Sequence, residues 1–359
     1  MQGAQLGYSH SVCLDSEGNV WTFGKNDDKQ LGYNFKASVP QAVPGLPCIV
    51  SVAAGRFHTA CVDINGGLWC FGLNHFGQLG HTAALSSLPR LVPDLPPIMS
   101  VRCGSNFTVC LDKDSSLWAC GENSFGQLGV GFFSNDCPLV QLPIDNIERF
   151  DCGGNHLLVQ QFRGPVYSCG DNSYGQLGQG SVKQCHTLNP IADLSDVIDI
   201  SCGWTFSVFL MTTGRVRATG YNKNGSLGMG HYNSLEYPEE IPGMEDIKAI
   251  SCSYAHCMFL DDRGILMVCG FGDSGRLGLG DFDNVFSPTP VGLTGVCSLS
   301  HGGQHSLVKD VTGRVFAFGI NTDGQLGIKT STPLVSLPKL LPWSQYIHVN
   351  NTQPKSARK

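Results

Sequence analysis

Charge is scarce in this chain, and the little there is rarely gathers. Of 359 residues, 14% are Asp, Glu, Lys or Arg, for a net charge of −6. The only basic cluster lies in the last few residues, Lys355, Arg358 and Lys359. A nucleic-acid binder normally shows a basic stripe, so nucleic acid is not an expected partner. No apolar run approaches the ~18 residues of a membrane span, and no charged-then-apolar start marks a secretory signal. The chain holds 16 cysteines but no Cys-x-x-Cys pair, so zinc-ribbon spacing is missing. Nucleophile-elbow and phosphate-loop motifs are absent too. No enzymatic activity, cofactor or metal is therefore expected.

What is present is a block, its last column 25 positions after its first, that recurs seven times with fixed internal spacing. Its opening column reads Gly7, Gly55, Gly104, Gly153, Gly203, Ser253 and Gly302. A second column follows 17 positions later (Gly24, Gly72, Gly121, Gly170, Gly220, Gly270, Gly319). A third lies 8 further on (Gly32, Gly80, Gly129, Gly178, Gly228, Gly278, Gly327). Units start 48 to 50 residues apart, a period that means stacked supersecondary units. The cysteines follow the same columns: Cys103, Cys152, Cys202 and Cys252 precede the opening residue, and Cys120, Cys169 and Cys269 precede the second Gly. Free cysteine packs as a small hydrophobe. Reduced packing residues of a cytoplasmic protein, with the nucleus as the alternative compartment, are the expectation.

Each unit reads as four strands. An apolar pair with period three (Ile49 and Val52, Ile98 and Val101) precedes the opening column. A hairpin follows, such as His58–Val62 and Leu68–Phe71 joined by an Asp/Asn/Gly turn. The string Gly-x-Asn-x-x-Gly-Gln-Leu-Gly forms a loop in which Asn tolerates left-handed geometry and can bond its own backbone. A Pro-rich stretch such as Val39–Pro44 ends the unit, and Pro cannot donate to a ladder, so it belongs at an outer edge. Four strands repeated seven times predict an all-β, seven-bladed propeller. Only six residues precede Gly7, whereas Tyr346 and Val349 sit at the offsets from Gly327 that Ile247 and Ile250 keep from Gly228. The expected closure is therefore a C-terminal strand at 345–350 pairing into the first blade. The expected domain is 1–350, with repeats near 1–37, 38–85, 86–134, 135–184, 185–234, 235–284 and 285–333. A short basic tail, 351–359, follows it.

The set Gly-x-x-His-[Ser/Thr], Asp-x-x-Gly-x-[Val/Leu]-[Trp/Tyr/Phe]-x-x-Gly and Asn-x-x-Gly-Gln-Leu-Gly resembles the regulator of chromosome condensation (RCC1-like) repeat. Here it stands as His10-Ser11, Asn19-Val-Trp21 and Asn123–Gly129, and the resemblance covers residues 1–350. It implies a seven-bladed propeller but several unrelated jobs: nucleotide exchange on the GTPase Ran, scaffolding, ubiquitin-ligase substrate recognition, ultraviolet sensing, β-lactamase inhibition. A propeller scaffold that binds protein partners is the leading expectation. The alternatives are an exchange or regulatory module for a small GTPase and a substrate-recognition module working with ubiquitin machinery. The uniform spacing leaves no room for the exchangers' wedge hairpin, and a basic N-terminal tail is absent. The photoreceptor's Trp and Arg cluster is represented only by Trp204.

Candidate residues sit in variable columns. The histidines His10, His58, His156, His256 and His305 occupy one equivalent place per blade, which points to backbone satisfaction rather than to a converging metal site. Arg217 interrupts an otherwise largely aromatic strand column and should pair or snorkel outward. The two residues after each opening position vary freely, on turns expected at one face of the disc. Tyr8, Arg56, Phe57, Trp204 and Tyr254 stand among them, and such side chains dominate binding hot spots. They are the candidate partner-binding residues. The competing expectation is that they only pack over the channel mouth.

Overall fold

The computed structural model describes residues 3–82, 85–329 and 332–342. They form seven four-stranded antiparallel sheets, each packed on the next around a ring. The only helical element among them is a 3-10 turn at Asp273–Gly275. In each sheet the first strand is innermost and the Pro-containing fourth is the outer edge, as in Ile49–Ala54, His58–Asp63, Leu68–Leu73 and Leu85–Leu91. The outer strands are partly exposed while the middle pair is almost wholly buried. All sixteen cysteines are free thiols, and most are buried.

The period-three spacing of the inner strands has a physical cause. Ile49 pairs with Asp63 but Ser51 pairs with Val62, so Val50 is an extra residue. The same irregularity recurs between Ile147 and Arg149, Val197 and Asp199, Ile247 and Ala249, and Val296 and Ser298. A bulge inserts one residue and re-aims the side chains beyond it. It thereby places Ile49 and Val52 on one buried face, where simple alternation would separate them.

The first blade departs from expectation. Its inner strand is Gly3–Leu6, paired residue by residue with His10–Leu14 (Ala4 with Cys13, Leu6 with Ser11). Four residues suffice, because Ala4 and Leu6 already bury the alternating side chains. The inner place assigned to a C-terminal strand is thus filled from the N-terminus, and residues 345–350 lie outside the described residues. The last blade meets this strand directly: the Ser300 hydroxyl donates to the Ala4 carbonyl at 2.9 Å.

Two side-chain devices make the repeat. One spans blades. His58 Nε2 lies 3.0 Å from the Thr108 hydroxyl, which itself donates to the Gln78 carbonyl at 2.7 Å. With the hydroxyl hydrogen committed, the ring Nε2–H is the donor. The same latch joins His10 to Thr59, His156 to Ser207, His256 to Ser306, and His305 to Ser11 across the seam. Where Phe replaces His, at Phe107 and Phe206, the next blade offers Leu157 and Cys257 instead of a hydroxyl. Each of these pairs belongs to a single apolar cluster. The opening Gly exists for the ring: a Cβ on Gly55 would sit 2.2 Å from His58 Cε1. Ser253, the exception, turns its hydroxyl onto His256 Nδ1 at 2.6 Å.

The other device sits within the blade. Asp63 accepts the amides of Asn65 and Gly67 through Oδ1 and the Trp69 indole through Oδ2, at 2.8–2.9 Å. Asp15 with Trp21 and Asp112 with Trp118 repeat it. The second-column glycines are required by conformation, since Gly72 has φ +111° and a Cβ there would meet the Phe57 carbonyl. The loop asparagines, by contrast, are not left-handed. Asn123 stays out of the positive-φ region and braces its loop by accepting the Leu128 amide and donating to the Phe132 carbonyl.

Candidate functional site

The seven inner strands enclose a channel of about 300 Å³, lined from Gln5–Tyr8, Ala53–Arg56, Arg102–Ser105, Arg149–Gly154, Asp199–Trp204, Ile250–Tyr254 and the last blade. Its wall is polar and self-paired. Arg102 lies 3.6 Å from Asp151, and Arg149 lies 4.0 Å from Asp199 and 2.7 Å from Glu148. Asp151 also accepts the Cys202 amide at 2.7 Å. Burial in the wall raises its carboxyl to about 6 against the pull of Arg102. The side chain keeps 22% exposure, so it is desolvated without being sealed. Ser251 bonds His301 across adjacent blades.

At one end of the channel, the turns after the opening column are tied to one another by main-chain bonds. Arg56 N–H donates to the Ser105 carbonyl, Ser105 to Gly154, Gly154 to Trp204 and Trp204 to Ser253, all at 3.0–3.1 Å. Gly303 donates to Gly7 and carries the chain of bonds across the seam. The backbone rim is therefore fixed, and only its side chains differ.

Those side chains meet. The Trp204 and Tyr254 rings lie 4.9 Å apart, and Tyr254 meets Tyr8 edge-on at 5.6 Å. The Arg56 guanidinium stands 5.5 Å from the Tyr8 ring centre, 4.9 Å from Phe57 and 5.8 Å from Trp204. Blades one, two, five and six thus contribute to one patch. All five candidates lie in it, Tyr254 exposed and the other four half-buried. They do pack on one another over the mouth, and they also leave a surface.

Two neighbours are not signalled by the turn columns. Tyr221, on the loop of blade five, packs edge-on against Tyr174 of blade four at 4.9 Å, and Tyr174 is 43% exposed. Both stand in variable loop positions, where Tyr221 has Glu122 and Asp171 as counterparts; that variability is the one signal that could have found them. Arg276 is likewise absent from the candidate columns. It occupies the place of the repeated Gln, is 2% exposed, and donates to the Asp273 and Gly303 carbonyls at 2.8 and 3.0 Å.

The histidine column lies in the blade interfaces, each ring engaged with a hydroxyl. Burial holds His10, His58 and His305 down at about 3 and His156 at about 4, so the rings are neutral. Arg217 reaches outward and donates to the Asp193 carbonyl at 3.0 Å. Among the described residues no group of three or more His, Cys, Asp or Glu is placed to hold a metal, and no helix is long and apolar enough to cross a membrane.

The family model for the RCC1-like domain matches residues 1–308. Comparison with curated proteins gives no match. Among solved structures, yeast RCC1 (Prp20) bound to Kap60 superposes with a TM-score of 0.82 at 21% identity, covering 93% of this chain and 84% of that one. Human WBSCR16 gives 0.81 at 22%, covering 90% and 94%. Prp20p from Saccharomyces cerevisiae, described with its binding properties to Gsp1p and histones, gives 0.82 at 20%, covering 92% and 87%. At these identities the likeness carries the fold and not an activity.

Proposed function

The chain belongs to the RCC1-like domain family, and from that premise we propose that it is a non-enzymatic intracellular scaffold that docks a protein partner on the turn face. Tyr8, Arg56, Phe57, Trp204 and Tyr254 form the contact. The supporting observation is their convergence: five variable side chains from four blades make one patch on a backbone rim held by inter-blade hydrogen bonds. A rigid rim loses little entropy on binding, so aromatic anchors there convert contact into affinity efficiently. Replacing Trp204 and Tyr254 together with Ala should weaken a partner captured from the native cell by about 30-fold or more, the scale of a hot spot. Binding equal to that of the native protein would reject the face.

A second reading, regulation of a small GTPase, draws on the likeness to Prp20p and its described binding to Gsp1p. Against an exchange role stands the even 48–50-residue spacing, which leaves no inserted wedge. Nucleotide release from a panel of small GTPases, accelerated by the native chain and not by the double variant, would establish this reading.

A further inference from the structure

The mouth of the channel carries a guanidinium, that of Arg56, that no carboxylate among the described residues neutralises. Seven residues follow the opening column, namely Tyr8, Arg56, Ser105, Gly154, Trp204, Tyr254 and Gly303, and Arg56 alone is charged. Five other arginines find carboxylates, Arg102 with Asp151, Arg149 with Asp199, Arg215 with Glu240, Arg263 with Asp261 and Arg314 with Asp310, while the outward-facing Arg217 bonds a main-chain carbonyl. Arg56 has no carboxylate partner among the described residues. It is held by three aromatic faces, and its buried Nε has no hydrogen-bond partner. Arg276, beside Asp273 on the loop of blade six, hydrogen-bonds main-chain carbonyls and stacks 4.9 Å from Phe271. One of those carbonyls belongs to Gly303, whose turn packs against Tyr8.

These features describe a single cationic spot set among aromatic rings. A guanidinium stacked on rings is weakly hydrated and already oriented, so it loses little on meeting a carboxylate. An apolar collar lowers the local dielectric and strengthens that meeting. In a chain of net charge −6, leaving Arg56 without a carboxylate at the opening is a local choice that the overall composition does not explain.

Resting on the docking role above, we propose that the partner is a protein segment that inserts an Asp or Glu side chain, flanked by apolar residues, over the mouth to pair with Arg56. Trp204, Tyr254 and Tyr8 cover the flanking apolar groups. A nucleic acid is disfavoured, because the same loops present Glu122 and Asp171 and the face lacks a basic track.

The test uses the full chain and a library of random 16-residue peptides displayed on phage, with selected sequences resynthesised and titrated by fluorescence anisotropy. The expected result is a shared Asp or Glu beside aromatic or aliphatic residues. Arg56→Gln should weaken these peptides at least tenfold and flatten their salt dependence. Changing the shared acid to its amide should cost the same factor in the native chain and nothing further in the Arg56→Gln variant. Near-UV circular dichroism checks that the variant keeps its fold. If Trp204→Ala abolishes binding while Arg56→Gln and the amide peptide leave it intact, the charge pairing is overturned and the docking face stands. If neither substitution matters, both readings fall. A single-stranded oligonucleotide that displaces the peptides with equal affinity would also overturn the proposal.

Discussion

Thr108 both donates to the Gln78 carbonyl and accepts from His58, and the whole pair is fully buried. Removing one member leaves a buried polar group unmatched, which costs about 1–3 kcal/mol. Replacing both with apolar groups of similar shape costs far less, and the chain contains its own precedent in Phe107 with Leu157. Thr108→Leu alone should therefore destabilise by about 2 kcal/mol. His58→Phe with Thr108→Leu should cost less than the sum of the single changes, with a coupling of about 1–2 kcal/mol in denaturant titrations. Additive costs would show that the latch is only a geometric coincidence. The pairing spans 49–51 residues and is written in the sequence, as His followed one unit later by Ser or Thr and Phe by Leu or Cys. It becomes readable only when neighbouring units are compared in register and the contact is known to cross blades.

The hairpin shows what local chemistry alone can specify. In Asp63, burial would raise the carboxyl, but the bonds from the Trp69 indole and the Gly67 and Asn65 amides prevail and hold it below the ordinary carboxylate range. Asp63→Ala removes all three bonds at once and leaves the turn amides without an acceptor. We expect a loss of about 2 kcal/mol, seen as a lower denaturation midpoint with unchanged slope; an unchanged midpoint would show that the turn needs no bracket. Strands, hairpins, the Pro-marked outer edge and the count of seven are legible because each rests on contacts within about 25 residues of sequence. The inner strand of the first blade is not, because Gly3–Leu6 lacks the bulged, period-three signature of its counterparts. The sequence leaves two roles open to the loop asparagines, because side-chain bracing and left-handed backbone select the same residue, and the structure shows the bracing. The docking patch is legible as columns, while its convergence across blades one, two, five and six depends on side-chain reach, which spacing does not encode. Tyr221 and Tyr174 stand on loops whose sequence speaks only of turn geometry.

At the scale of the ring, five buried imidazoles titrate together. His10, His58 and His305 stay neutral down to about pH 3 and His156 to about pH 4, and burial with the neighbouring Arg276 holds His256 well below its ordinary value. An unfolded histidine takes its proton near pH 6.5. Below that pH the unfolded chain binds protons that the folded ring refuses, so stability is fully present above 6.5 and falls as the pH drops. Each latch contributes a slope of about 1.4 kcal/mol per pH unit. Asp151 acts in the opposite sense: raised to about 6, it binds its proton first in the folded state and offsets one histidine between pH 6 and 4. His301, held at about 3 by burial, and His81, lowered by burial, act with the column, and Asp199, raised by burial, acts with Asp151. The net of about five protons, over a single pH unit, reaches the lower part of the 5–15 kcal/mol of a typical native protein. The bracket aspartates Asp15 and Asp63, held low against burial by their hydrogen bonds, begin to weaken the fold only below about pH 4. Acid unfolding should therefore begin above pH 5, well before carboxylate protonation, and the pair His58→Phe with Thr108→Leu should reduce the limiting slope by one proton. Because five of the seven interfaces contribute, the closing seam included through His305 and Ser11, the transition should be a single one by circular dichroism and tryptophan emission alike. A fold whose stability stays level from pH 7 to pH 5 would mean that the imidazoles are charged or solvated within it, and the latch could not then be what joins the blades.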